Sequence, residues 1–203
     1  MVERQISARG VSDAGVLEAM RKVERHLFIP GSRLAEAYED YPLPLGHGQT
    51  ISQPYIVALM TELCSLTGAE KVLEVGTGSG YQTAILSLLA GKVYSIECVE
   101  ALAVSAKIRL SQLGFPKTVI KYGDGYEGWE DEAPFDVIIL TAAPSRIPET
   151  LLRQLKDPGI LVAPIGNFSQ ELVRVSIKSG QLHTASITGV RFVPMVHIKK
   201  DKT

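Results

Sequence analysis

The stretch Lys71-Val-Leu-Glu-Val-Gly-Thr-Gly-Ser-Gly80 decides the fold of this 203-residue chain. Its first five residues form a short, mostly apolar run, which predicts a buried strand, and three glycines follow. Glycine has no Cβ, so it lets the backbone turn tightly and lets a ligand approach closely. A helical pattern over residues 79–90 comes next. The stretch therefore predicts the first strand, turn and helix of an α/β unit whose turn faces a ligand.

Short β-branched runs alternate with helical patterns beyond this stretch. The alternation is typical of an α/β fold with a doubly wound, mostly parallel, Rossmann-like sheet. Two later runs alternate apolar and polar residues around Ser179-Gly180, which predicts an antiparallel C-terminal hairpin. The predicted strands are 71–75, 92–97, 117–122, 135–140, 160–165, 172–178 and 182–190, and the predicted helices are 79–90, 100–113 and 148–155.

The first 70 residues have a different pattern and predict an N-terminal helical cap on the open sheet. We expect helices over 13–23 and 54–66, joined across a Pro- and Gly-rich loop at 30–49. Apolar residues on the second helix recur at helical spacing, so one stripe should face the core; they are Ile56, Leu59, Met60 and Leu63. The chain length fits a single domain over 1–203. Within it we expect a cap and acceptor-site loop over 1–70, a cofactor-binding core over 71–166, and antiparallel strands with a tail over 167–203.

Composition argues against several classes of protein. Apolar residues make up 45% of the chain, and 21 Lys and Arg balance 22 Asp and Glu, so no positive field favours nucleic acid. A basic tail at Lys199, Lys200 and Lys202 is most simply a frayed terminus. Cys64 and Cys98 lack close spacing and the histidines are scattered, so we expect neither disulfide nor metal. Neither a signal segment nor a membrane span is expected, and we predict a cytoplasmic monomer.

The spacing of the glycines suggests which ligand the turn binds. A glycine turn alone occurs in many α/β proteins, and a dinucleotide site usually has the spacing G-x-G-x-x-G. Here the third glycine comes one residue early and Glu74 precedes the first by two, which resembles the E-x-G-x-G-x-G of class I methyltransferases. That resemblance implies S-adenosylmethionine as cofactor and S-adenosylhomocysteine as product. A carboxylate at Glu74 suits the cationic sulfonium and ammonium groups; the expected contacts also include Gly76, Thr77, Gly78, Ser79 and Gly80.

Two further strand ends carry acidic residues that suit an adenosyl ligand. Glu97 ends the second predicted strand, 19 residues after Gly78, where an acid accepts hydrogen bonds from ribose hydroxyls. Gly123-Asp124-Gly125 follows the third, and Asp124 can accept the exocyclic amine of adenine, with Gly125 beside it. An exposed strand end and an ordinary turn are the plain alternatives. Because all three signals fall at the carboxyl edge of one sheet, we expect a single cofactor site.

The segment from Ala37 to Pro54 makes the resemblance specific. Its run Gln49-Thr-Ile-Ser-Gln-Pro54 closely resembles the signature of protein-L-isoaspartate O-methyltransferases, and the similarity continues through 72–83, 123–125, 133–136, 141–143 and 190–195. The resemblance implies methylation of the free α-carboxylate of L-isoaspartyl residues in damaged proteins and peptides. The methyl ester would then reclose to a succinimide. We expect the loop 42–52 and the segment 190–196 to close over an extended peptide.

Ser52 matches the active-site serine of that family and is the expected catalytic residue. It precedes Gln53 and Pro54, so its hydroxyl and the free amides of a helix start could hold a carboxylate. The alternative is that Ser52 is only the N-cap of that helix. Gln53 and Thr50 are weaker candidates for cofactor or peptide contacts. His47 lies between two glycines in a surface loop and is left out, because an ionised carboxylate needs no strong base.

Three other functions are weighed against this one. A methyltransferase acting on nucleic acid or a small molecule would keep the cofactor motifs, but base N-methylating enzymes often have Asn/Asp-Pro-Pro-aromatic where this chain has Thr141-Ala-Ala-Pro144. A nucleotide-binding oxidoreductase is opposed by the glycine spacing and by the long N-terminal segment. A non-catalytic adenosyl-binding protein would bind the cofactor without turnover.

Overall fold

A seven-stranded sheet forms the centre of the protein in the computed structural model, which describes residues 1–198. The basic tail predicted to fray therefore lies outside the described residues. Two further short strands, β1 (Leu43–Gly46) and β2 (Gln49–Ile51), pair with each other away from the central sheet. The seven strands of the central sheet are β3 (Lys71–Val75), β4 (Lys92–Glu97), β5 (Thr118–Tyr122), β6 (Phe135–Leu140), β7 (Leu155–Ile165), β8 (Gln170–Lys178) and β9 (Gln181–Val190).

The order of strands in the central sheet is β5-β4-β3-β6-β7-β8-β9. Strands β3 to β7 pair in parallel, while β8 and β9 pair antiparallel. The chain first moves outward from β3 to β5 and then returns to place β6 on the other side of β3. Such a reversal leaves a crevice at the carboxyl ends of the strands, where open α/β sheets bind ligands. The predicted fold class is confirmed, including the C-terminal hairpin at Ser179-Gly180.

Helices cover both faces of the sheet because its strands are apolar on both sides. One face is covered by the N-terminal helices together with α3 and α4, and the other by α5 and the segment 124–133. Leu73, Ile138 and Val162 are completely buried between these layers. The helices are α1 (Ala14–Lys22), α2 (Pro54–Leu63), α3 (Tyr81–Leu89), α4 (Glu100–Gln112) and α5 (Glu149–Arg153).

The N-terminal segment packs on the α3 face of the sheet, as the prediction of a cap requires. Residues of α1, α2 and α3 share one buried cluster, which supports the proposal of a single domain. The predicted loop at 30–49 is wrong in part, because it contains a short 3₁₀ helix over Gly31–Glu36 and most of a β hairpin. The hairpin was not predicted from strand propensity because proline is rare in strands, although an edge strand tolerates a proline such as Pro44.

Two predicted helices end two or three residues earlier than expected. Helix α2 stops at Leu63, and of its predicted stripe only Met60 is fully buried, since Val57, Ala58 and Thr61 form the most buried face. The three other stripe residues are partly buried against the same core. Helix α5 ends at Arg153 and not at 155, because Leu155 already pairs with Phe135 and begins β7.

Residues 1–198 contain no helix long and apolar enough to cross a membrane. Over the same residues no group of three metal-binding side chains comes together. Both cysteines are free thiols, with Cys64 buried under α2 and Cys98 half-buried after β4.

Candidate active site

A pocket opens at the carboxyl ends of β3, β4 and β6, where the strand order reverses. It brings together seven of the residues predicted to form the site: Ser52, Gly76, Thr77, Gly78, Ser79, Glu97 and Gly125. Four predicted residues do not line it: Gln53, Glu74, Gly80 and Asp124. The remaining wall comes from residues 49–51 of the hairpin, Val57 of α2, the start of α3, the last residue of β3, the end of β4 with Cys98, residues 141–142 after β6, and residues 193–196 near the C-terminus.

The glycine turn has three glycines with positive φ, and they have different roles. Gly76 must be glycine because a Cβ there would collide with the hydroxyl of Thr141, which donates to the Gly76 carbonyl at 2.6 Å. Gly78 faces open space, with Leu45 at 3.7 Å as the nearest side chain from its Cβ direction. Gly80 instead packs against Leu110 of α4. Of the three glycines, Gly76 and Gly78 line the pocket and Gly80 does not.

Glu97 lies at the pocket, and the alternative that it is only an exposed residue at a strand end is wrong. Its carboxylate accepts the backbone amide of Gly78 at 2.7 Å on one oxygen and that of Val99 at 3.0 Å on the other. The residue is only 4% exposed. Each carboxylate oxygen has a second lone pair, so Glu97 can still accept two hydroxyl groups from the pocket side. Its geometry fits a ribose diol and also fastens the turn to β4.

Glu74 lies beneath the glycine turn and not in the pocket. One carboxylate oxygen accepts the hydroxyls of Thr83 at 2.5 Å and Ser95 at 2.6 Å, and the other oxygen has no partner among the described residues. Complete burial raises the pKa of Glu74 to about 8, although the two hydroxyls oppose the shift. Ser95 also bonds the hydroxyl of Thr77, a residue of the pocket wall. Glu74 thus supports the turn from below, because its side chain points toward α3.

Asp124 is covered by the C-terminal segment. One oxygen accepts the backbone amide of Tyr126, and the other bonds Nδ1 of His197 at 2.9 Å and the amide of Ile198 at 3.3 Å. The His197 ring stacks on Tyr126 with centroids 4.0 Å apart. Oδ2 is therefore fully engaged by His197 and Ile198, whereas Oδ1 accepts only the Tyr126 amide and keeps a lone pair for an adenine amine. Gly125 does line the pocket, and a Cβ there would overlap Val75.

Residues 193–198 form a strap beside the pocket, and residues 193–196 of it line the wall. The expectation that 190–196 closes over a peptide stays a prediction. Ala143 donates its amide to the Val193 carbonyl at 2.9 Å, and Met195 donates back to the Ala143 carbonyl at 2.8 Å. Tyr126 holds the far end through a bond from its hydroxyl to the Met195 carbonyl. The strap thus connects the end of β6 to the end of β5 and narrows the opening of the pocket.

Ser52 lies on the pocket wall directly before α2. The N-cap of α2 is Gln53, so the alternative that Ser52 serves only as the cap is wrong. Within residues 1–198 the Ser52 hydroxyl forms no hydrogen bond, which leaves it available to a ligand. The expectation of free amides beside it is wrong only in part, because Pro54 has no amide hydrogen and Tyr55 donates its amide to Asp40 at 3.0 Å. The amides of Gln53 and Ile56 have no acceptor within residues 1–198.

Comparison with known proteins agrees with this arrangement. The sequence profile of the protein-L-isoaspartate(D-aspartate) O-methyltransferases matches residues 1–200. The chain belongs to this family. A protein-L-isoaspartate O-methyltransferase of Shewanella sediminis is 55% identical over 99% of this chain and 84% of its own length.

Solved structures of isoaspartate methyltransferases have the same architecture. One superposes with a TM-score of 0.86 at 30% identity and covers 96% of this chain, which spans 65% of that structure's length. Another, from Plasmodium falciparum, has a TM-score of 0.83 at 26% identity, covers 96% of both chains, and was solved with S-adenosyl-L-homocysteine. Membership of the isoaspartate methyltransferase family opposes the oxidoreductase reading of the glycine turn.

Several residues of this isoaspartate methyltransferase pocket were missed by sequence reasoning. Cys98, Thr141 and Ala142 directly follow β4 and β6 and line the pocket. Their position at the carboxyl edge of the sheet is the signal that would have found them. Asp40 was also missed, and it accepts a bond from the Gln53 side chain at 2.7 Å. That bond turns Gln53 away from the pocket, which explains why it does not line the wall.

Proposed function

We propose that this chain transfers the methyl group of S-adenosylmethionine to the free α-carboxylate of L-isoaspartyl residues in damaged proteins and peptides. The observation that carries the proposal is that Ser52 and Gly78 line one pocket. Ser52 belongs to the loop 42–52, which we call the acceptor loop, and Gly78 belongs to the glycine turn. The family's acceptor-site signature and its cofactor motif thus meet in one place. Methyl transfer requires this meeting, because the two reactants must be held in contact.

The cofactor fits residues that the structure already brings together. Gly78 leaves room for a ligand against the turn, and Glu97 has lone pairs to hold the two ribose hydroxyls. We propose contacts from Gly76, Thr77 and Ser79 as well, with Gly125 beside the base. Glu74 and Gly80 would act indirectly by shaping the turn, and Asp124 would accept the adenine amine on the lone pair that its oxygens keep. When bound, S-adenosylmethionine supplies an electrophilic methyl group on a sulfonium centre.

The carboxylate that accepts the methyl group has to be positioned and needs little chemical activation. A carboxylate is ionised at neutral pH, since its reference pKa is roughly 4, so no base has to remove a proton. Within residues 1–198 the Ser52 hydroxyl is an unbonded donor on the pocket wall, and it would hold one oxygen of the carboxylate. The strap and the β1–β2 hairpin exclude water around it. This division of roles agrees with the absence of a histidine from the pocket wall formed by residues 49–196.

Selectivity for damaged residues should follow from how far the carboxylate extends from the peptide main chain. An isoaspartyl residue presents its carboxylate directly from the α carbon, whereas normal aspartate extends it one methylene further from the main chain. Reacting atoms must lie about 3–3.5 Å apart, so this displacement costs orders of magnitude in rate even if the peptide binds. We propose that the strap and the hairpin grip an extended peptide by its backbone, which would give broad tolerance of sequence.

The finer points of partner and location are also proposals. Balanced charge supports protein and peptide substrates over nucleic acid, because 21 basic residues face 22 acidic ones. We propose that the enzyme acts as a monomer in the cytoplasm.

The test uses labelled S-adenosylmethionine and a matched pair of peptides, one isoaspartyl and one aspartyl. We expect base-labile label, released as volatile methanol, from the isoaspartyl peptide alone. Equal labelling of both peptides would overturn the repair assignment and leave a generic carboxyl methyltransferase. Label in added nucleic acid, with none in peptide, would favour the alternative class.

A parallel binding measurement separates the cofactor classes. S-adenosylhomocysteine should raise the melting temperature by preferential binding to the folded state, and NAD should not. Stabilisation by NAD alone would instead support an oxidoreductase. Cofactor stabilisation without turnover on any peptide would indicate a non-catalytic binding protein.

A further inference from the structure

Asp40 is the centre of a small cluster behind the acceptor loop, which we call the Asp40 clamp and which comprises Arg9, Asp40, Gln53 and Tyr55. One oxygen of Asp40 accepts the backbone amide of Tyr55 at 3.0 Å. The other accepts Nε2 of Gln53 at 2.7 Å and a guanidinium nitrogen of Arg9 at 2.6 Å. The Asp40 side chain is 20% exposed, so it lies partly under the loop.

The clamp caps α2 from a distant part of the chain. Helix α2 begins with Pro54, which has no amide hydrogen, so Tyr55 carries the first amide of the helix that needs an acceptor. The N-cap Gln53 gives it none, because the Gln53 side chain is bonded to Asp40. Asp40 therefore holds the residues on either side of Pro54, which are Gln53 before it and Tyr55 after it. Ser52 is the next residue before this fixed pair and leads directly onto the pocket wall.

Arg9 balances the charge of Asp40. Its guanidinium carbon lies 3.5 Å from the centroid of the Tyr55 ring, so the arginine is held by both the carboxylate and the aromatic face. An unpaired Asp40 carboxylate behind the loop would repel an anionic acceptor. With Arg9 in place, the clamp can anchor the loop without opposing the approach of another carboxylate.

We propose that Asp40 is a positioning residue for methyl transfer, which sets the orientation of Ser52 through Gln53 and Tyr55 without touching the substrate. The inference rests on the proposed function, since it concerns the acceptor side of that reaction. It predicts coupling between Asp40 and Ser52. The cofactor contacts at Gly78 and Glu97 lie on other segments, so cofactor affinity should not depend on the clamp.

The test is a double-mutant cycle with Asp40→Asn and Ser52→Ala. Asparagine keeps the shape and one acceptor oxygen, but it turns an amide donor toward the donors Arg9 and Gln53. We expect Asp40→Asn alone to lower turnover of an isoaspartyl peptide about tenfold, and to change it less than about twofold in the Ser52→Ala background. The matched control is Glu36→Gln, which removes a carboxylate of the same segment whose partners within residues 1–198 are Arg33 and Tyr41.

Three measurements make every outcome decisive. Rates are expressed per folded site counted by S-adenosylhomocysteine binding, so partial unfolding does not imitate loss of positioning. Where Ser52→Ala is too slow to assay, the same cycle is measured as peptide affinity of the enzyme saturated with S-adenosylhomocysteine. Additive effects of the two substitutions, or a matching loss of cofactor affinity, would overturn the proposal. Failure of the wild-type enzyme to methylate the peptide would instead contradict the proposed function itself.

Discussion

The Glu97 carboxylate accepts the backbone amide of Gly78 at 2.7 Å and so joins the end of β4 to the centre of the glycine turn. The bond connects two motif residues that are 19 positions apart. It means that the residue proposed to hold the ribose also holds the turn against which the ligand lies. A substitution at Glu97 should therefore change both the ligand site and local stability.

Glu97→Gln should weaken S-adenosylhomocysteine binding by about ten- to a hundredfold, because hydrogen bonds to a charged group contribute roughly 1.5–3 kcal/mol. It should also lower the melting temperature. Each Glu97 oxygen now accepts a backbone amide, and in glutamine an NH₂ donor replaces one of these two oxygens. Calorimetric titration and thermal unfolding on one sample measure both effects. Glu100→Gln, on the exposed first turn of α4, is the control and should change neither. An unchanged dissociation constant for Glu97→Gln would reject the ribose assignment.

Ser52→Ala should lower turnover strongly and leave the S-adenosylhomocysteine affinity within a few fold. Because Gln53 and not Ser52 is the N-cap of α2, the melting temperature should stay within the range of the exposed control Ser32→Ala. A capping serine would instead contribute about 1 kcal/mol to stability. The measurements are single-turnover rates and thermal unfolding. Full turnover in Ser52→Ala, with a lowered melting temperature, would assign Ser52 a purely structural role.

Glu74 should make stability depend on pH. Burial raises its pKa from an ordinary value of 4.5 to about 8 in the folded protein, so the folded state keeps a proton that the unfolded chain loses. The free energy of unfolding should therefore fall as pH rises from about 4.5 to about 8, by an amount on the order of a few kcal/mol. Glu74→Gln resembles the protonated form and should flatten this slope. Equal slopes for wild type and Glu74→Gln in urea titrations would show that Glu74 is ionised in the fold.

His197→Ala should strengthen S-adenosylhomocysteine binding a few fold, because it removes one of the two hydrogen bonds on Oδ2 of Asp124 and leaves that oxygen a lone pair for adenine beside the Ile198 amide. Asp124→Asn should act in the opposite direction and weaken binding. Dissociation constants for both variants at one pH and ionic strength test the pair. Weaker binding in His197→Ala would mean that the ring is a necessary part of the site, and the expected competition with adenine would be wrong.

The sequence alone predicted the central sheet closely. The bounds of β3, β4 and β6 match the predicted strands residue for residue. Each is a run of apolar and β-branched residues bounded by glycine or by a polar turn, and such local patterns need no knowledge of the rest of the chain. The short hairpin of β1 and β2 was not predicted, because its strands contain Pro44 and depend on each other for burial.

The candidate site was predictable in outline and not in its hydrogen bonds. Glycine spacing, acids at strand ends and the signature around Ser52 located the pocket, since parallel strands end at one edge of a sheet. The same reasoning placed Glu74 and Asp124 beside the ligand. It could not show that the hydroxyls of Ser95 and Thr83 donate hydrogen bonds to the Glu74 carboxylate. Nor could it show that His197, 73 residues further along the chain, forms a hydrogen bond with Asp124.

The sequence by itself determined the order of the helices and of the central strands along the chain, the edge of the sheet that binds the ligand, and the family. Tertiary structure decided which acidic side chains face the pocket and which are used to build it. The physical reason is that a buried carboxylate must find hydrogen-bond donors, and those donors come from whichever segments the fold brings near. Asp40 illustrates this most clearly, because its partners Arg9, Gln53 and Tyr55 meet only when the N-terminal cap packs against the start of α2.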